Sequence, residues 1–144
     1  MRYRGKVLVV DDDPIVLEIT RARLERAGFE VVTRQDAVGT MRAVLDDAPD
    51  VVLLDVNMPG LSGEVLTRLI TGTQFGRRTS IILHSAKEEE ALGRLAQDCG
   101  AAGSIPKTPD TARFLLQFEK VLMARRQNQR LAEQRASGSA RKGT

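Results

Sequence analysis

A single cysteine, Cys99, stands among the 144 residues, so no internal disulfide can form, and a reducing cytoplasm is the expected setting. Long apolar runs are also missing. The first, Val7 to Val10, ends after four residues at three aspartates, too short for the core of a signal peptide. No stretch approaches the ~20 apolar residues that span a bilayer, so no membrane association is expected. No internal repeat is visible. Residues 125–144 contain no aromatic side chain to stack on a base, and Leu131 is their one large apolar residue.

What is present fits one compact domain. Hydrophobic residues make up 42% of the chain, an ordinary share for a globular protein, and the length suits one core. The charge is uneven. Residues 125–144 carry six basic side chains against Glu133 alone, a net +5, which leaves −2 of the total +3 for residues 1–124. The basic character belongs to the tail, so the body is not expected to bind nucleic acid. A domain over 1–124 is expected. The tail should continue the last helix to about residue 136 and end in a disordered segment beginning near Ser137-Gly138.

The body alternates strand and helix. Strands are expected at Lys6–Val10, Glu30–Thr33, Asp50–Leu54, Ser80–His84 and Gly103–Ile105. Helices are expected at Pro14–Ala27, around Val38, Met41, Leu45 and Ala48, and at Gly63–Ile70, Glu88–Cys99 and Asp110–Ala124. Asp13 is placed to cap the first of these, with Pro14 at its first position and Gly28 at its end. Val16, Thr20, Leu24 and Ala27 form its expected inner face, and Leu115, Phe118 and Leu122 that of the last helix. Five such units with short connections imply an α/β, doubly wound parallel sheet.

In such a sheet, ligands bind at the carboxyl ends of the strands. Asp11 and Asp12 follow the first strand, Asp55 the third, Ser85 the fourth and Lys107 the fifth. Carboxylates crowded there repel by about 4 kcal/mol per pair at ~4 Å. A cation held by hard oxygen ligands, magnesium or calcium, would relieve this. A cation site beside a hydroxyl and an amine describes phosphoryl transfer, with one carboxylate as the attacking group.

Five motifs sharpen the reading: Val9-Val10-Asp11-Asp12, Leu54-Asp55-Val56-Asn57-Met58-Pro59-Gly60, Gly63, Ser85-Ala86, and Gly100-Ala101 followed by Lys107. In this order and spacing the chain resembles the receiver domains of bacterial two-component response regulators, akin to the chemotaxis regulator, over about residues 5–124. The resemblance implies a flavodoxin-like five-stranded sheet of order 2-1-3-4-5 with five helices. It implies that Asp55 is the phosphoacceptor. Magnesium would be held by Asp12, Asp55 and the backbone carbonyl of Asn57, with Asp11 acting through water. Ser85 and Lys107 would grip the phosphoryl group. A histidine kinase or phosphotransfer protein is the implied donor, and a downstream protein is the implied target. No small-molecule turnover is implied, and with no fused output domain in view the signal is expected to leave by protein contact.

Other residues have plainer readings. His84 is expected to be a satisfied core side chain, Cys99 to serve packing, and Met58-Pro59 to make a turn. The chain also departs from the family. Ser104 stands where an aromatic switch residue is frequent, and Thr108 follows Lys107 where proline is usual. A cis bond before a non-proline residue costs ~2.5–4 kcal/mol, so Lys107–Thr108 is expected to be trans. Asn57 and Lys87 occupy the positions that face the phosphoryl group. Two rival readings remain. Asp11-x-Asp13 and Ile81–Ser85 imitate a haloacid-dehalogenase-type phosphatase, but no late acid pair follows Lys107 and no length remains for a cap domain. A degenerate receiver used only for docking would usually have lost an acid, and none is lost.

Overall fold

The computed structural model describes residues 4–58, 62–72 and 79–142, with the side chains of 139–142 left aside. Five strands, β1 (Lys6–Val10), β2 (Glu30–Arg34), β3 (Val51–Asp55), β4 (Ser80–Ser85) and β5 (Gly103–Pro106), alternate with α1 (Pro14–Arg26), α2 (Ala37–Asp47), α3 (Gly63–Thr71), α4 (Glu89–Cys99) and α5 (Thr111–Lys142). The sheet order is β2-β1-β3-β4-β5, and every pairing is parallel. This is the expected flavodoxin-like arrangement. Its central strand, β3, is buried along its whole length, as a strand covered on both faces must be.

Alternation along the strands feeds two cores. Leu8, Val10, Val52, Leu54, Ile81 and Leu83 pack on one face with Leu66, Ile70, Leu92 and Ala96. Val7, Val9, Val51, Leu53, Ile82 and Ile105 pack on the other with Leu17, Leu24, Phe114 and Phe118. Phe118 meets Phe29 edge-on, ring centres 5.3 Å apart. Such a pairing adds to the area that these rings bury.

Three expectations about the helices need correction. On α1 the buried residues are Leu17, Thr20 and Leu24, while Val16 is half-buried. On α2 the buried residues are Thr40, Ala43 and Val44, while Val38 and Leu45 face outward. Met41, half-buried, packs against the same core. The third concerns α5, which runs to Lys142, past the limit expected near residue 136. No proline interrupts residues 111–142, so nothing removes a backbone donor from its hydrogen-bond ladder. At its amino end, Phe114 is fully buried and Leu115 only partly. Among the described residues no helix is long and apolar enough to cross a membrane.

Candidate functional site

Because all strands are parallel, their carboxyl ends share one rim, and the predicted polar residues gather there. After β1 the chain turns, and three successive aspartates take separate roles. Asp11 is buried, and its Oδ1 accepts from the Asp13 N–H at 3.0 Å. Asp12 is exposed. Asp13 points away and caps α1, its Oδ1 accepting from the Ile15 N–H at 2.9 Å. That cap was legible from Pro14 alone.

Asp55 is the last residue of β3 and is 4% exposed. Its Oδ1 accepts from the Asn57 N–H at 3.2 Å. Carboxylate oxygens of Asp11, Asp12 and Asp55 all lie within 4.8 Å of one another. Lys107 leaves β5 toward this group. Its Nζ is 2.8 Å from Asp11 Oδ2 and 3.6 Å from Asp55 Oδ1. Asp11 Oδ2 is buried and lacks an aligned hydrogen bond, so this close ion pair is what it has.

Ser85, fully buried at the end of β4, accepts at Oγ from the Lys87 N–H at 3.2 Å, and its carbonyl accepts from the Lys107 N–H at 2.7 Å. Strand pairing thus ties Ser85 and Lys107 together. Asn57 and Lys87 are exposed, and Ser104 is half-buried on β5. Met58 is buried, whereas Pro59 and Gly60, where the expected turn falls, lie outside the described residues. Among the described residues there is no cis peptide bond, so Lys107–Thr108 is trans as expected.

The charges are strained in a definite direction. Burial raises the Asp55 carboxyl above its ordinary range. The Asn57 N–H and the Lys107 ammonium pull it down, while the negative charges of Asp11 and Asp12 push it up. Burial works against the Lys107 ammonium, but Asp11 and Asp55 outweigh it and hold the group charged to higher pH.

Two residues have roles that sequence reasoning missed. Gly63 was legible as part of a motif but not for what it does. A Cβ there would lie 2.8 Å from both the Asp55 carbonyl oxygen and Val56 Cα, and the Gly63 N–H donates to the Val56 carbonyl at 3.0 Å. Arg23 gave no signal, because its partner is 85 positions away: Nη1 donates to the Thr108 carbonyl at 2.9 Å and steadies the loop after Lys107. His84 corrects an expectation. It is buried as predicted, 5.7 Å from the Phe114 ring centre, but its Nε2 has no hydrogen-bond partner. Cys99 is buried on α4, where it packs in the core.

A family model described as the response regulator receiver domain matches residues 7–119. The chain belongs to the response regulator receiver domain family. Among curated relatives of this receiver domain, the transcriptional regulatory protein CseB of Streptomyces coelicolor is 34% identical over 122 residues, covering 85% of the chain and 51% of CseB. The response regulator MprA of Mycobacterium tuberculosis is 33% identical over 131 residues, 91% of the chain and 56% of MprA. The chain thus spans about half the length of these relatives. Among solved structures, the BeF3-activated receiver domain of RstA from Klebsiella pneumoniae is 28% identical, with a TM-score of 0.72 over 81% of the chain and 97% of that one. The chemotaxis response regulator CheY4 of Vibrio cholerae shares the fold at 24% identity and a TM-score of 0.75, over 84% and 99% of the two chains. Neither rival reading gains support. Among the described residues, the only group of three or more metal-ligating side chains is Asp11, Asp12 and Asp55.

Proposed function

We propose that this receiver domain accepts a phosphoryl group on Asp55 from the phosphohistidine of a partner histidine kinase or phosphotransfer protein, and signals by a contact that depends on that group. The carrying observation is the position of the Asp55 carboxylate. It ends a rigid central strand, 3.6 Å from the Lys107 ammonium and beside two further acids. An Asp55 oxygen attacks phosphorus, the phosphorus–nitrogen bond breaks, and the imidazole leaves with the bond pair and takes up a proton. An acyl phosphate remains on Asp55. Lys107 stands ready to meet the charge on the transferred oxygens, and Ser85 supplies a hydroxyl at the same rim.

The residues present fit a magnesium ion. Three carboxylates converge within 4.8 Å, and one buried oxygen, Asp11 Oδ2, lacks an aligned hydrogen bond. Asp11, Asp12, Asp55 and the Asn57 carbonyl would hold it, and all-oxygen ligation suits that cation. When bound, it supplies charge neutralisation between the carboxylates and the phosphate oxygens. No phosphate-monoester turnover is expected, and a cytoplasmic setting with protein partners suits this reading.

The deciding experiment is intact-mass measurement after treatment with acetyl phosphate and magnesium. The native chain should gain one phosphoryl group, and Asp55→Asn should gain none. Undiminished labelling of that variant would refute the assignment.

A further inference from the structure

Phe114, Phe118 and Leu122 fasten the first part of α5 to the sheet. Beyond them the character of the helix changes: from Arg126 to Gly138 every side chain is exposed. A helix with no apolar stripe gains nothing from packing on its own body. Arg126 and Arg130, four residues apart, also repel one another. At 3.6 residues per turn these exposed residues sort into a front and a back. Gln127, Leu131 and Gln134 form the middle of the front. Arg126 and Arg130 lie along one edge of that stripe and Arg135 along the other. Ala132 and Ala136 lie behind, with the one acid, Glu133, toward them. Arg125 is half-buried, feels the charge of Asp50 and takes no part in the front.

An amide stripe between two cationic edges has a definite complement: a groove with an uncharged, hydrogen-bonding floor and two anionic walls. We propose that this exposed part of α5 docks in the major groove of duplex DNA. A helix with its side chains is ~10–12 Å across, and that groove is ~12 Å wide. Arg126 and Arg130 meet the phosphates of one wall and Arg135 those of the other. Gln127 and Gln134, two turns apart, face the base edges, where a glutamine amide pairs with adenine. Other anionic partners fit less well. A bilayer needs an apolar face, and Leu131, 46% exposed, is the one large apolar side chain in this segment. A single strand needs aromatic side chains to stack on, and the segment has none. The major groove of duplex RNA is too narrow and deep for side chains to read. An acidic protein surface would leave one cationic edge unmatched. The docking segment leaves the body beside Asp50, before the start of β3, whereas Asp55 ends that strand. The inference therefore stands without the reading of Asp55.

Fluorescence anisotropy of the full chain tests this with four probes: a short labelled DNA duplex, one of its strands alone, polyglutamate, and phosphatidylserine vesicles. Three phosphate contacts give a log–log salt slope of about −2.7, so duplex affinity should fall about 40-fold between about 50 and 200 mM salt. The triple variant Arg126→Gln, Arg130→Gln, Arg135→Gln should bind the duplex at least about tenfold more weakly at the lower salt and flatten the slope. Its circular dichroism should match that of the native chain, since all three side chains are exposed. Ala132→Pro keeps every charge but interrupts the helix, and it should also weaken duplex binding at least about tenfold. Undiminished binding by the triple variant would overturn the proposal, and so would undiminished binding by Ala132→Pro, which would reduce the tail to a shapeless polycation. A single strand, polyglutamate or vesicles binding as tightly as the duplex would overturn it too, the last two in favour of an acidic protein or a membrane. So would no duplex binding at about 50 mM salt with the chain at about 100 μM, where the ~10⁻⁴–10⁻⁶ M affinity of unspecific DNA contacts would register.

Discussion

Gly63 lies against the backbone of Asp55 so closely that no other residue fits: a Cβ would stand 2.8 Å from the Asp55 carbonyl oxygen. The first residue of α3 is therefore also part of the floor beneath the phosphoacceptor candidate. Gly63→Ala should push α3 away from the end of β3. We expect a loss of about 1–3 kcal/mol, typical of overpacking, read as a lower urea midpoint at unchanged slope. Phosphorylation of Asp55 should slow as well. A fully stable variant would show that the contact relaxes freely.

The raised pKa of Asp55 sets a pH dependence. Its folded value lies above the unfolded one, mainly through burial. The associated stability is therefore present below the ordinary carboxylate range and is lost as pH rises through the raised value. In buffer without divalent cations, Asp55→Asn should melt higher than the native chain at pH 7, and the gap should narrow toward pH 4. A constant gap across that window would show that Asp55 titrates normally.

Magnesium should relieve the same repulsion. A ligand that binds only the folded state adds about 2.7 kcal/mol at a concentration of about 100 Kd. Melting curves with and without millimolar magnesium should separate for the native chain and coincide for Asp12→Ala. Asp12 is the exposed member of the cluster, so its loss should leave the fold intact. Native curves that coincide would remove the metal from the proposed mechanism.

A chain ending at Ala124 should fold and still take up phosphate on Asp55. Among the described residues Leu122 is the last buried one of α5, and the ion pair between Arg4 and Glu119 lies within the retained part. The truncation does remove Arg125, which feels the charge of Asp50, a surface interaction worth about 1 kcal/mol or less. Failure to fold, measured by circular dichroism, would place the tail inside the domain.

The sheet and its rim were readable because fully buried strands spell themselves out as apolar runs, and each run here stops at a residue that cannot be buried cheaply. Val51 to Leu54 followed by Asp55 is the plainest case. The face of α2 was not readable. Val38 and Leu45 look like core residues, yet Thr40, Ala43 and Val44 are the ones buried, because the packing of neighbouring elements decides which stripe of the helix turns inward. The close approach of Gly63, and the pairing of Arg23 with Thr108, depend on parts of the chain that meet only after folding. Local sequence carries no trace of either. The unsatisfied His84 nitrogen could not be foreseen for the same reason.

The long α5 has an electrical consequence. At ~1.5 Å per residue its 32 residues make a rod of about 48 Å, longer than the ~35 Å diameter of a sphere with the radius of gyration expected for a body of this size. The net +5 of residues 125–142 belongs to the far part of that rod, and the net −2 to residues 1–124. The molecule is thus a charge-separated object with a large permanent dipole along α5. Near any charged surface it will turn before it touches, tail toward negative potential and body away. At physiological salt that orientation acts only within a Debye length of about 8–10 Å of the surface, and added salt shortens its reach.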